Sequence, residues 1–497
     1  MRIKKDKFYH GPHKLNNNFC FDDKVREECA VFGVSLHSEE AAGVTYNGLL
    51  ALQHRGQEGA GIAVSHNRNI VCHKDEGLVS EVFSGDDFAR MAKGKVAVGH
   101  ARYSTTGQST KENVGPFVTE YLTGRIATAH NGNITNAKDI RGKLAKYGLN
   151  FNATSDSEVV SSLIAYYIKK EQSSLYGTAN AVSLLRGAFS LIIVTSKNKL
   201  IAVRDPNGLR PLCIGKNGIG CAVASESCAL EICGFEFVRD VLPGEVVMIE
   251  NGQITETLFF QQSTDSGKFA ENTIEGLGLC IFEYVYFARS DSVIDGLSVY
   301  ESRYNMGLAL AREYPVEADA VCGVPDSGLD AAYGYSAASG LPLVTGFVKN
   351  RYIGRSFIYP TQSKRDSAVR MKLNPLSANI KGKRIVLVDD SIVRGTTSEK
   401  IIKSLKNAGA KEVHMRVSSP PFRHTCHYGT DIDSEENLIA NSMALDQICQ
   451  KIGADSLGYI SINGLKDACK KCALSFCTAC FTGNTGEQKV KKDVLEY

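Results

Sequence analysis

No apolar run in this 497-residue sequence approaches the roughly 18–20 residues that a membrane-spanning helix needs. A formal net charge of +3 is too small to argue for a nucleic-acid partner or an anionic membrane surface. Neither end is low-complexity. Residues 1–28 are polar, mixed in charge and without the apolar core of a secretory signal. Their acids, Asp22, Asp23, Glu27 and Glu28, argue equally against an organelle transit peptide. A cytoplasmic protein is expected. The fifteen cysteines form an odd count with no export signal, so metal and catalytic roles come before a disulfide framework. Cys72, Cys213, Cys221, Cys228, Cys233 and Cys322 sit among apolar or small residues and read as packing thiols.

What is present is ordinary in bulk and specific in detail. Hydrophobic content of 43% and charged content of 22% suit a globular chain long enough for two or three domains. The sharpest segment is the apolar run Ile385, Val386, Leu387, Val388, read as a buried strand, ending in the acid pair Asp389 and Asp390. A small-residue loop with Ser391, Arg394, Gly395, Thr396 and Thr397 then leads into a helix predicted from Ser398. Loop amides and hydroxyls at a helix N-terminus form an anion site, and strand carboxyl ends are where open α/β sheets take ligands. Paired acids beside such a cradle suit a ligand with a phosphate and vicinal hydroxyls or a divalent metal. A phosphorylated ribose fits.

This segment resembles the phosphoribosylpyrophosphate (PRPP) signature of type I phosphoribosyltransferases. The resemblance implies that the loop holds the ribose 5-phosphate and that Asp389 and Asp390 face the ribose hydroxyls and Mg²⁺. Upstream, residues 318–328 form another strand running into a tight polar loop with Pro325, Asp326 and Ser327. It is similar to the family's pyrophosphate loop, with Ser327 on the metal side. A helix over 329–339 and a strand over 341–348 complete the alternation of a parallel sheet. Residues 349–358 resemble the family's flexible loop. There Lys349 and Arg351 would neutralise pyrophosphate, and Tyr352 and Ile358 would line a passage for ammonia.

In the first half, Cys29 opens a strand, a glycine-punctuated loop carries His54 and Arg55, and Arg102 ends another strand. Residues 129–133, with Asn131 and Gly132, read as a tight turn whose amide and N–H groups could polarise a carbonyl. Ser155 and Glu158 have capping-box spacing, which places Asp156 in the first helical turn. Asp205, Pro206, Asn207 and Gly208 look like a hairpin turn, with Arg204 and Arg210 structural. In order and spacing these segments resemble the glutaminase domain of class II (N-terminal-nucleophile) amidotransferases. From Cys29 onward the chain is similar to the amidophosphoribosyltransferase family, which opens purine synthesis.

That resemblance implies Cys29 as the nucleophile, with the leader a propeptide whose removal exposes an α-amino base of pKa about 7.7–8.0. Asn131 and Gly132 would form the oxyanion hole, Arg102 would clamp the glutamine α-carboxylate, and Asp156 would meet its ammonium. Arg55 either orders the glutamine loop or is structural. The expected fold is an α+β (αββα) glutaminase domain over 29–262 followed by an α/β parallel-sheet phosphoribosyltransferase domain over 263–468. Residues 1–28 form the propeptide, residues 261–275 read as the linker, and 469–497 are a cysteine-rich tail. Other class II amidotransferases carry sugar-isomerase or ATP-pyrophosphatase second halves, against which the acid pair speaks. A non-catalytic PRPP sensor needs a DNA-binding module, and none is evident.

Cys469, Cys472, Cys477 and Cys480 pack two CxxC pairs close together, a metal signal in which a local Zn²⁺ site is cramped. The resemblance implies instead a [4Fe–4S] cluster on Cys280, Cys426, Cys477 and Cys480, stapling three segments together. Cys469 and Cys472 are then spare, or one of them replaces a ligand. His424 and His427 flank Cys426 and read as ordinary loop histidines. PRPP and glutamine as substrates, purine nucleotides as inhibitors and a homo-oligomer complete the expectation.

Overall fold

The computed structural model describes residues 29–485 apart from 39, 92, 104–109, 262–277, 351–372 and 433. The leader, most of the linker, and Arg351, Tyr352 and Ile358 lie outside the described residues. Among those residues no helix is long and apolar enough to cross a membrane.

The first half stacks two antiparallel sheets, one of seven strands and one of six. The interface between them is dry: Val31 and Val98 from one sheet meet Ile192, Leu200 and Val247 from the other, all 0% exposed. The Ala41–Ala51 helix covers the outer face of the seven-stranded sheet. The Asp156–Glu171 and Ser174–Val182 helices cover that of the six-stranded one. This is the expected helix–sheet–sheet–helix sandwich. Strands buried on both faces, such as Ala30–Leu36, are mostly apolar, as two-sided burial favours.

The 205–208 segment is not a hairpin. Lys199–Arg204 pairs within the six-stranded sheet and Cys213–Asn217 within the seven-stranded one, so the chain crosses between layers here. Asp205, buried under this corner, accepts from the Asn207 and Leu209 amides, which gives a sheet crossing the chemistry of a turn.

The second half centres on a parallel sheet with Ala320–Gly323 beside Arg384–Asp389, then Glu412–Val417, then Ser456–Tyr459. Ile385 to Val388 are all 0% exposed, and each such side chain stabilises the fold by about 1.5–3 kcal/mol. The predicted 329–339 helix is observed as Gly328–Ser339. The strand predicted over 341–348 reduces to a bridge from Leu343 to Val321 and a Phe347–Lys349 strand in a separate two-stranded ribbon. Leu341 and Leu343 still pack on the core, so their apolar character served burial rather than a continuous ladder.

Candidate active sites and cysteine cluster

Cys29 stands immediately before the Ala30–Leu36 strand, and its thiol donates to the Tyr103 carbonyl at 3.4 Å. Burial pushes the thiol up to about 11, with Asp156 and Glu58 adding to the rise while Arg102 opposes it. Arg102 (4% exposed) ends the Val96–Arg102 strand, and Asp156 starts the Asp156–Glu171 helix. Three of the expected glutaminase groups therefore share one neighbourhood.

Asn131 and Gly132 are not in a turn. They lie within the Gly124–Ile134 strand, opposite Ser190 and Phe189. Asn-Gly is a turn signal when the chain is free to reverse, but here a neighbouring strand continues the ladder. Gly132 has φ 139°, and a Cβ there would meet the Ala188 carbonyl at 2.0 Å. Both amide atoms of Asn131 are buried with no hydrogen-bond partner among the described residues. A buried amide left open is costly unless something else completes it.

The capping box also differs. Ser155 caps the helix by accepting from Ser157 N, whereas Glu158 turns back to the amides of Asn152 and Ala153. Asn113 takes the amides of Thr154 and Ser155, holding the approach to the helix. Asp156 Oδ2 accepts from Ile134 N at 2.9 Å, which ties the acid to the strand carrying Asn131.

Arg55 resolves as structural, and its candidate role in binding glutamine is withdrawn. It is 0% exposed, its Nε bonds Glu226, and its Nη2 reaches Glu283 Oε2 at 2.5 Å. Glu283 belongs to the second half and also faces Arg210 Nη1 at 3.5 Å. Arg204 makes a matching two-pronged pair with Asp295 at 2.8 Å. A seam of buried charge thus joins the halves. Nothing local in the sequence pairs residues 228 positions apart. Removing one partner of a buried pair typically costs about 3–5 kcal/mol. Arg55→Met, which takes the shared guanidinium from Glu226 and Glu283 but leaves them His54, Ser292 and Arg210, is expected to lower unfolding stability by about the lower end of that range, read by chemical denaturation. A change under about 1 kcal/mol, the level of an exposed pair, would contradict it.

In the second half Asp389 and Asp390 are 1% and 0% exposed at the carboxyl end of their strand. Asp390 accepts from the Ser391 hydroxyl at 2.6 Å and from the Ser327 hydroxyl across the neighbouring loop. Gly328 lets those loops meet: a Cβ there would sit 2.4 Å from the Val388 carbonyl. Gly395, at φ 83°, turns the chain into the Thr396–Asn407 helix, which starts two residues earlier than predicted. Thr396 and Thr397 therefore present first-turn amides, the groups an anion binds. Lys349 pairs with Asp326, bringing its ammonium to the same loop cluster. Sequence reasoning missed Arg303, a buried arginine whose charge is felt by Asp330 and Asp390.

Cys280 and Cys477 are opposite each other in a short parallel ladder, and Cys480 O accepts from the Arg423 and His424 amides near Cys426. Burial pushes the Cys280 thiol up to about 12 and the Cys477 thiol up to about 11, with neighbouring thiols adding to both. Cys480 is raised well above its ordinary value, first by burial and then by Cys280, Cys426 and Cys477. Cys469 and Cys472 point elsewhere: Tyr284 O–H donates to Cys472 Sγ at 3.6 Å, and Cys469 lies by Ser302. The local four-thiolate alternative is therefore not assembled. Among the described residues no three His, Cys, Asp or Glu side chains converge as a single metal ion would need. His424 pairs with Glu435. The same loop braces the first half, with Asn133 Nδ2 donating to the His427 carbonyl at 2.9 Å and Gly429 packed on Gly132.

Residues 100–231 match a glutamine amidotransferase domain model and residues 308–424 a phosphoribosyl transferase domain model. An amidophosphoribosyltransferase of Synechocystis sp. is 48% identical over 93% of this chain and 91% of its own length. That of Archaeoglobus fulgidus is 46% identical over 91% and 97%. The solved structure of the B. subtilis glutamine PRPP amidotransferase complexed with ADP and GMP superposes with a TM-score of 0.83 at 42% identity. It covers 94% of this chain and 99% of that one. On this similarity the chain belongs to the amidophosphoribosyltransferase family.

Proposed function

We propose that Cys29, freed at its amine by removal of residues 1–28, is the nucleophile that splits glutamine, and that Asp389 and Asp390 organise PRPP in the second half. The overall reaction is PRPP, glutamine and water to 5-phosphoribosylamine, glutamate and pyrophosphate, the first step of purine biosynthesis. The observation that carries the glutaminase assignment is the open amide of Asn131, on the strand that Asp156 grips through Ile134 N, with Asp156 in turn sharing the Cys29 and Arg102 neighbourhood. Burial disfavours the charged thiolate of Cys29. The freed α-amine supplies the missing base: it takes the thiol proton as sulfur attacks the amide carbon. Asn131 Nδ2 and the Gly132 N–H then donate to the oxyanion, Arg102 holds the substrate carboxylate, and Asp156 receives its ammonium.

Asn131→Leu is expected to lower glutamine turnover about 10²–10³-fold without loss of thermal stability, since no native hydrogen bond is removed. Paired kinetics and melting curves check this. A stability loss matching the activity loss would remove the oxyanion role. Active protein should begin at Cys29 by N-terminal mass analysis. Full glutaminase activity with the leader attached overturns the amine-as-base reading.

In the second half, the Thr396 and Thr397 amides with Ser391, Arg394 and Gly395 cradle the 5-phosphate, Lys349 with Arg351 neutralises pyrophosphate, and Tyr352 serves the passage for ammonia. The oxygen set of buried Asp389 and Asp390 with half-buried Ser327 fits a hard divalent cation such as Mg²⁺. When bound, that ion supplies charge neutralisation for departing pyrophosphate. Ammonia attacks the anomeric carbon away from bulk water, because protonation there would end its nucleophilicity.

The thiols of Cys280, Cys426, Cys477 and Cys480, drawn together from three segments, fit the four-cysteine ligation of a [4Fe–4S] cluster with a stapling role. Cys280→Ser is expected to lose bound iron and sulfide, visible absorption and stability together, whereas Cys472→Ser keeps all three. Equal iron content in both variants would refute the ligand set. The ADP and GMP of the B. subtilis complex support purine nucleotides as regulators of this chain. A cytoplasmic homo-oligomer completes the reading.

A further inference from the structure

A cleft of about 630 Å³ opens at the carboxyl ends of the Glu412–Val417 and Ser456–Tyr459 strands, neighbours in the sheet that also carries the acid pair. Strand carboxyl ends are the ligand side of open parallel sheets, and small-molecule sites commonly enclose about 300–1,000 Å³. No residue assigned above to glutamine, PRPP or the cysteine cluster lines it.

Its chemistry is specific. Tyr314, Pro420, Pro421 and Phe481 offer flat faces. Tyr459 lines the cleft at 6% exposure, and its buried hydroxyl has no hydrogen-bond partner among the described residues. Buried phenols normally find one. Arg423 brings a positive charge, held loosely by one contact from Nη1 to the Ala440 carbonyl at 3.3 Å. No Asp or Glu is among the lining residues, although Asp446 follows directly after the lining residue Leu445. Ser461 on the rim is already engaged with Glu313.

We propose that this cleft is a second ligand site, taking a planar aromatic ring that carries an anionic group and a polar atom for the Tyr459 hydroxyl. The ring packs against Tyr314 and the paired prolines, and the anion meets Arg423.

The test is a fluorescence titration of the full chain with 8-anilinonaphthalene-1-sulfonate, beside N-phenyl-1-naphthylamine as its uncharged counterpart. One saturable sulfonate site per chain is expected. Arg423→Met should weaken it about tenfold, the size of one charge-assisted contact, and leave the uncharged probe unaffected. Ala444→Trp, at an exposed lining position, should fill the cleft and abolish binding of both probes. Unchanged melting temperatures in both variants show that the fold is kept. Equal sulfonate affinity in wild type and Arg423→Met overturns the proposal. So does displacement of the probe by PRPP, or retention of both probes by Ala444→Trp. The readout is binding rather than turnover, so it stands apart from the substrate assignments.

Discussion

Cys29→Ser is expected to abolish glutamine-dependent formation of phosphoribosylamine, by about a thousandfold or more, while synthesis from added ammonia continues at the parent rate. The hydroxyl is a far weaker nucleophile at the same position. The acid pair lies in a separate sheet, at the end of the Arg384–Asp389 strand, so nothing in the PRPP site changes. Assays with glutamine and with ammonium salts on the same preparation decide the matter. Loss of both activities in a folded variant would mean that the two chemistries are not separable in the way the geometry implies.

Asp389→Asn and Asp390→Asn should fail in the opposite pattern. Each removes a charge and keeps the size; in Asp390→Asn one of the Ser327 and Ser391 hydroxyls keeps an oxygen to bond and the other turns to accept from the new amide N–H. Synthase activity from both nitrogen donors is expected to fall about 10–100-fold through lost contacts to the ribose and its cation. Basal glutamine hydrolysis should persist, with less stimulation by PRPP. If the acids merely finish a strand end, PRPP affinity and turnover stay constant and the melting temperature drops. Binding measurements beside thermal unfolding separate these outcomes.

The acid pair was legible because its signals are local. A β-branched run, two acids, a glycine and a helical period follow one another within about two dozen residues. Cys29, Arg102 and Asp156 were legible as a set only through the family resemblance; taken singly, a strand-end thiol and a helix-start acid read as ordinary. Asn131 and Gly132 were found as residues but given the wrong backbone: their strand is fixed by the Gly187–Thr195 neighbour, which no local rule sees. The same holds for residues 205–208, where turn chemistry serves a crossing between sheets. Arg55 was ambiguous for a related reason. Its two partners are Glu226 and Glu283, and burial of a charge is decided by what arrives from elsewhere in the chain. The four cysteines proposed for a cluster could be grouped only through the family resemblance. Spacing singled out the two CxxC pairs, and the structure turns one of them, Cys469 and Cys472, toward Ser302 and Tyr284.

The desolvated seam of Arg55, Arg204 and Arg210 limits how the enzyme can move. A hinge opening between the halves would pull these guanidiniums from Glu283 and Asp295. Opening would have to part the Arg55–Glu283, Arg210–Glu283 and Arg204–Asp295 contacts together and rehydrate every charge in them. The seam therefore resists rotation of one half against the other and favours adjustments of loops and side chains within each half.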